Sequence, residues 1–389
     1  MSDVDYRCTK HVVNGDQNNN DWPSVCHILT EQQVTDANAE IRSWPIYEPT
    51  PLVDLSDIAS AAKVKKVYYK DEASRFGLGS FKALGGAYAV HQLACERQRS
   101  HASSKLVVCT ATDGNHGRSV AWGAQGLGIE CHIFIHEQVS PSRADQMAKF
   151  GAIIHRVDGN YDDSVVACAK MADQHQWQIL SDTSWEGYET VPVQIMAGYS
   201  VMAAEVVAQL DGEIPTHIVI QAGCGGMAGA MIACFWREWR EALPTIVVVE
   251  SELSDCVFQS MAAGQMKFVD ITEETLMAGL SCGEVSRVAW PLLKSGVRHA
   301  LTIGDEAVAP MMRWLANPTV KDRPSIVAGE CSASGLIGLL GASQDPALKS
   351  AIGLNAASRV LVFGTEGATD PELYDRLMHS QNNVAARTR

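Results

Sequence analysis

The chain has no C-x-x-C pair, although it carries 11 cysteines in 389 residues. Their odd number and their scatter from Cys8 to Cys331 argue against a dense disulfide framework and against a metal site. A reducing cytoplasm suits such a chain. Positive charge is also scarce. Lys and Arg number 31 against 45 Asp and Glu, the formal net charge is −14, and there is no basic run. That balance argues against nucleic acid and anionic membrane surfaces as partners. The first residues, "MSDVDYRCTK", are acidic and polar, so no secretory signal is expected. Only one stretch prompts a membrane check. From Pro215 to Trp236 there is no Asp, Glu, Lys or Arg, and the length suits a span. Its β-branched "HIVI" and glycine-rich "QAGCGGMAGA" read better as a buried strand, a loop and a helix. No short period repeats along the chain.

What is present is ample material for a core: 46% of residues are hydrophobic, and the length fits two to three domains. Residues 1 to about 45 contain "NGDQNNND" and read as an N-terminal arm with little core of its own. Beyond them, strand and helix patterns alternate. "VKKVYYKDE", "KLVVCT", "ECHIFIH" and "AIIHRV" are strands, the last three each followed by a helical pattern. Ser140 and Pro141 suit the cap and first position of one such helix. A second series holds the helix "IMAGYSVMAAEVVAQL" and the strands "THIVIQ", "TIVVVES" and "SRVLVFG". The expected fold is α/β, with two parallel-sheet domains and a cleft between them. Residues 1–88 and 186–389 are assigned to a larger domain and 89–185 to a smaller one.

In such sheets ligands bind beyond the carboxyl ends of the strands. Four loops lie there: "TATDGNHG", "SDTSWEGYE", "AGCGGMAG" and "GTEGATD". "AGCGGMAG", residues 222–229, stands between a strand and a helix. Its glycines let backbone N–H groups converge on an anion at a helix N-terminus. No Lys or Ser follows them, and the spacing is wrong for a dinucleotide, so a phosphate monoester is the better ligand; a tight packing turn is the plainer alternative. A fifth stretch, "SFKALGGA", places Lys82 at the start of a small-residue helix. Lys82 is either a snorkelling helix-start lysine or an amine kept desolvated, neutral and nucleophilic. A phosphate cradle and such a lysine together suggest pyridoxal phosphate, which also needs partners for its ring. Asn115 suits the ring oxygen, or else caps a helix. Thr365 suits the ring nitrogen, where a hydroxyl would leave the pyridine a weaker electron sink; otherwise it is a turn hydroxyl.

These residues resemble the tryptophan-synthase-type (fold type II) pyridoxal-phosphate enzymes, which include serine and threonine dehydratases and serine racemase. Within them, "RFGLGSFKALGGAYA", "TDGNHGRSVAWGAQGLG", "SDTSWEGYE", "IMAGY" and "MAGLSCGE" are similar to the diaminopropionate ammonia-lyases, over roughly residues 40 to 375. The resemblance implies a homodimer, a smaller mobile domain and a small amino-acid substrate. It makes Lys82 the Schiff-base lysine, sets Phe81 beside the ring and Asn115 at the ring oxygen, and gives Gly223, Cys224, Gly225, Gly226 and Met227 the phosphate. Cys224 departs from the four-glycine loop of the dehydratases. Thr112, Asp113, Gly114, His116 and Glu284 are the candidate substrate contacts.

Asp113 and Asp182 are the candidate acid–base groups beside Lys82. A carboxylate at Asp113 is costly near a cofactor unless a cation joins it, and the β-ammonium of 2,3-diaminopropionate is such a cation. The plainer reading is a turn carboxylate. Asp182 sits among aromatics that would raise its pKa and let it donate a proton, unless it only caps the next helix. The implied reaction is α,β-elimination of 2,3-diaminopropionate to pyruvate and two ammonia, with Lys82 and Asp113 as bases on opposite faces serving L and D substrates. Serine/threonine dehydratase or racemase activity is the alternative, and a ligand-binding protein that has lost catalysis is a third reading. With only a short stretch after "GTEGATDPELYDRLM", no added regulatory domain is expected there. Cys256 and Cys282 flank a segment resembling the family's site-gating stretch; they are read either as neighbours or as two unrelated buried thiols.

Overall fold

The computed structural model describes residues 4–101, 104–112 and 114–380. Its strands are β1 (Cys8–Val13), β2 (Leu52–Asp54), β3 (Lys66–Asp71), β4 (Val107–Ala111), β5 (Glu130–His136), β6 (Ile153–Val157), β7 (Gln178–Ile179), β8 (His217–Gln221), β9 (Thr245–Ser251), β10 (His299–Ile303) and β11 (Arg359–Gly364). They form two sheets. One has seven strands in the order β1-β10-β9-β8-β11-β3-β2, the other four in the order β6-β5-β4-β7. The small sheet is parallel throughout. The large sheet is parallel in its centre but not at its edges, where β1 runs against β10 and β2 against β3. The expectation of two parallel-sheet α/β layers holds, with one antiparallel strand added at each edge of the larger sheet.

Central strands read as continuous apolar runs because helices cover both faces. Every residue of β8, "HIVIQ", is buried. The uncharged stretch resolves as expected into that strand, a loop and the helix Gly226–Trp239. Ser140 caps the helix Pro141–Ala148, its hydroxyl accepting from the Arg143 amide at 3.2 Å. The N-terminal segment is more than an arm. It supplies β1, and Trp22, Leu29, Ala37 and Ile41 lie in the core. The helix Glu31–Ser43 starts at a reciprocal cap between Thr30 and Gln33.

The helix Lys82–Arg99 lies between the sheets, packed on the helices Asn115–Gly126 and Thr190–Gln209. Its small residues permit that close approach. A Cβ on Gly85 would lie 2.9 Å from the Ile195 carbonyl oxygen. Ser119 pins its first turn, donating to the Lys82 carbonyl at 2.7 Å and accepting from the Ala87 amide at 3.0 Å. Beneath this junction is a buried ion cluster. Lys70 reaches Glu205 at 2.6 Å, and Arg75 reaches Glu72 and Glu205 at 2.8 Å each. The helix Thr190–Gln209 is long and apolar enough to cross a membrane, but most of it is buried within the fold.

Candidate active site

Lys82 opens its helix directly after a short segment tied to the end of β11. The Phe81 amide donates to the Thr365 carbonyl at 3.0 Å, and Ser80 pairs with Glu366. The Lys82 ammonium lies 5.5 Å from the Phe81 ring centroid, and that ring packs on Tyr199 at 4.8 Å. Lys82 Nζ donates to Asp182 Oδ2. Each of these two side chains is only 20% exposed.

The pairing decides the charge. Burial works against the Lys82 ammonium, but Asp182, then Tyr199 and Cys224, outweigh it and hold the amine well above the ordinary lysine value. Of the two sequence readings of Lys82, the desolvated one fits its burial, while the pair with Asp182 keeps the amine charged. Desolvation is present, and a carboxylate 100 residues away reverses its effect. The expected rise at Asp182 is corrected by the same pairing. Burial would raise its pKa, but Lys82 and then His116 hold it below the usual carboxylate range. It caps no helix, since the next one starts at Thr190. Trp185 and Tyr188 stack on each other at 4.1 Å, and the Tyr188 hydroxyl donates to the Ile179 carbonyl at 2.8 Å.

The glycine loop lies on the same side. Cys224 Sγ is 3.8 Å from the Asp182 carbonyl oxygen. Gly225 has φ +87°, and a Cβ there would lie 2.6 Å from Leu293 Cδ1, so the turn is built for glycine. The helix that follows runs 14 residues from Gly226 and starts beside Asp182, whose carbonyl oxygen would lie 3.5 Å from a Cβ on Gly226. Met227 is buried in the core, which leaves its backbone for any phosphate.

Thr365 and Asn115 come from opposite sheets. Gln221 Nε2 donates to Thr365 Oγ1 at 3.1 Å, so the threonine proton is free to be given to an unprotonated ring nitrogen. The cap of the helix Asn115–Gly126 is Gly114, so Asn115 is not the helix cap. Its Oδ1 accepts from Arg118 at 2.9 Å, and its Nδ2 donates to Glu366, using one of two amide hydrogens. A lysine, a glycine cradle at a helix N-terminus, a hydroxyl donor and an amide donor fit the functional groups of pyridoxal phosphate.

Other candidates fall differently. Thr112 Oγ1 accepts from the amides of Gly114 and Gly117 at 3.1 and 3.2 Å, shaping the loop. Glu284 stands exposed. Asp113 lies outside the described residues. Cys256 and Cys282 are both free thiols. Cys282 hydrogen-bonds Cys224, while Cys256 Sγ points to the Gly223 carbonyl at 3.6 Å. Sequence reasoning assigned no role to Glu366 or Tyr199, though both stand in quoted motifs. Gln221, at the end of "THIVIQ", carried no signal beyond being a polar residue closing an apolar strand.

A family model described as pyridoxal-phosphate dependent enzyme matches residues 44–364. The chain belongs to the pyridoxal-phosphate dependent enzymes. It is 38% identical over 358 residues to the diaminopropionate ammonia-lyase of Escherichia coli K12, covering 87% of this chain and 89% of that one. Two crystal structures of the Escherichia coli diaminopropionate ammonia lyase superpose on it. One is in complex with the aminoacrylate-PLP azomethine reaction intermediate, with a TM-score of 0.87 at 36% identity, covering 95% of this chain and 96% of that one. The other is in complex with D-serine, with a TM-score of 0.88 at 35% identity, covering 95% and 96%. The fold is that of the fold type II enzymes, and pyridoxal phosphate is the cofactor of this family member.

Proposed function

We propose that this chain eliminates ammonia from 2,3-diaminopropionate, giving pyruvate and a second ammonia after one water is added. The observation that carries the reading is the Lys82–Asp182 pair at the mouth of the glycine loop. It supplies an ammonium and a carboxylate in contact, able to exchange one proton, beside a cofactor site. When bound, pyridoxal phosphate supplies a carbonyl that captures an amine and a ring that draws electrons from Cα. Lys82 removes the Cα proton of the L substrate. Asp182 gives the leaving β-amine a proton, since amines leave poorly unless they are ammonium. Phe81 and Tyr199 wall the cleft against water, Asn115 and Thr365 orient the ring, and the 223–226 loop anchors the phosphate. Asp113 serves as base for the D substrate.

We further propose that residues 89–185 move as a smaller domain against the rest, that the protein is a homodimer, and that it works in the cytoplasm. Its 11 free cysteines suit a reducing compartment. Borohydride reduction of the loaded enzyme followed by peptide mapping tests the assignment of Lys82. A label on Lys82 is expected, and a label on another lysine refutes it. A preference for serine or threonine over diaminopropionate would replace the lyase reading with the dehydratase one.

A further inference from the structure

His116, read from the sequence as a substrate contact, is the third member of the Lys82–Asp182 cluster, and the proposed reaction gives it no role. It is 5% exposed, and its Nε2 lies 2.8 Å from the Leu180 carbonyl oxygen. A carbonyl can only accept, so Nε2 carries the hydrogen. In the neutral ring Nδ1 is then a bare acceptor. That atom is buried, has no hydrogen-bond partner among the described residues, and lies 4.0 Å from Asp182 Oδ2. Two acceptors face each other across a buried gap, which is costly unless a proton lies between them.

While Lys82 is charged, its ammonium satisfies Asp182. Once Lys82 loses that charge, Asp182 is left without a cation. Among the described residues, the surrounding titratable groups do not replace it. They are Tyr188 in its own loop, Tyr199 on the helix Thr190–Gln209, Cys224 at the glycine loop and Cys282 on the 278–282 segment. Burial pushes both tyrosines up, so they stay neutral, and a thiol supplies no positive charge in any state. We propose that Asp182 Oδ2 and His116 Nδ1 then share one proton, which makes His116 the residue that positions the proton Asp182 delivers to the leaving amine. The balance closes on the chain's own groups. The proton leaves Lys82 Nζ for Asp182 Oδ2 as that amine becomes neutral. It is held in an O–H···N bond after a shift of about 1 Å, from 4.0 Å to ordinary charge-assisted range. It departs on the released ammonia. His116 never touches the substrate in this account; it acts through Asp182. Burial lowers the affinity of His116 for a proton of its own, with Lys82 adding to this and Asp182 opposing it, which keeps Nδ1 an acceptor.

This rests on the elimination reading only for the destination of the proton, so its first test needs no turnover. The full chain, labelled with nitrogen-15 histidine, is compared as wild type, Lys82→Met and Lys82→Met/Asp182→Asn, with and without pyridoxal phosphate. Cofactor-free wild type should show a bare Nδ1 signal for His116 at neutral pH. Lys82→Met should shift it toward the protonated or hydrogen-bonded position, and adding Asp182→Asn should abolish the shift. An unmoved signal in Lys82→Met, or a shift that survives Asp182→Asn, overturns the proposal. Should Lys82→Met fail to fold, His116→Gln in the loaded enzyme decides. It keeps a donor for the Leu180 carbonyl and deletes Nδ1. The alkaline limb of the kcat profile should move down by about one pH unit with KM nearly constant. A uniform loss at every pH, with the limb in place, makes His116 structural and overturns the proposal.

Discussion

Asp182→Asn removes the carboxylate that keeps Lys82 charged, and its effect on the lysine can be worked from the structure. With Asp182 neutral, the main remaining influence on the amine is burial, which lowers its proton affinity. A pair of unit charges about 4 Å apart is worth ~4 kcal/mol at an effective dielectric of 20. At about 1.36 kcal/mol per unit, that is roughly three pH units. Both side chains keep 20% exposure, so solvent screens part of it, and a fall in the Lys82 pKa is expected. The assay is the pH dependence of Lys82 acylation in the cofactor-free chain, read by peptide mapping. Stability should follow the same pair. A lysine raised in the folded state contributes stability that is present below its unfolded pKa of about 10.4 and lost as pH rises through the folded value. A depressed aspartate contributes stability that is present above its unfolded value of about 3.9 and lost as pH falls through the folded one. The wild type should therefore exceed the variant most between about pH 4 and 10, with the gap closing in acid and in strong alkali. Turnover of diaminopropionate should fall about 10² to 10⁴. A Lys82 pKa that stays put or rises in the variant refutes the reasoning.

Three further outcomes are expected. Asp113→Asn should cut turnover of D-2,3-diaminopropionate by about 10² to 10⁴ and of the L form less, as stereospecific pyruvate assays would show. Equal losses would make Asp113 a binder of the β-ammonium. Arg75→Met leaves Glu72 and Glu205 facing Lys70 alone in a fully buried cluster, and should cost about 3–5 kcal/mol in denaturant unfolding. Gly225→Ala forces a Cβ into a left-handed backbone and against Leu293, adding about 1–2 kcal/mol of strain to the phosphate loop. Cofactor affinity, followed by titration, should drop about tenfold.

The parts legible in the sequence are those written locally. "HIVIQ" followed by glycines announces a buried strand turning into a helix, and "SFKALGG" and "DGNHG" mark their loops by composition. What escaped depends on partners far along the chain. β1, "CTKHVV", mixes Lys10 and His11 with valines, because it is an edge strand completed by β10 some 290 residues later. β10, "HALTI", has one polar residue at its start and one in its body, and β7 is only two residues long. At the site, the position of Lys82 and its desolvation were readable. The sign of its charge was not, because Asp182 reaches it only through the packing of the two sheets. Glu366 was hidden by its neighbour Thr365, to which a ring partner was already assigned.

The measurement that bears most directly on the central claim is the ratio of ammonia to pyruvate released from 2,3-diaminopropionate, with L-serine run in parallel. The account predicts two ammonia per pyruvate from diaminopropionate and a lower kcat/KM for serine. Efficient release of one ammonia per pyruvate from serine, with diaminopropionate left unreacted, would contradict it.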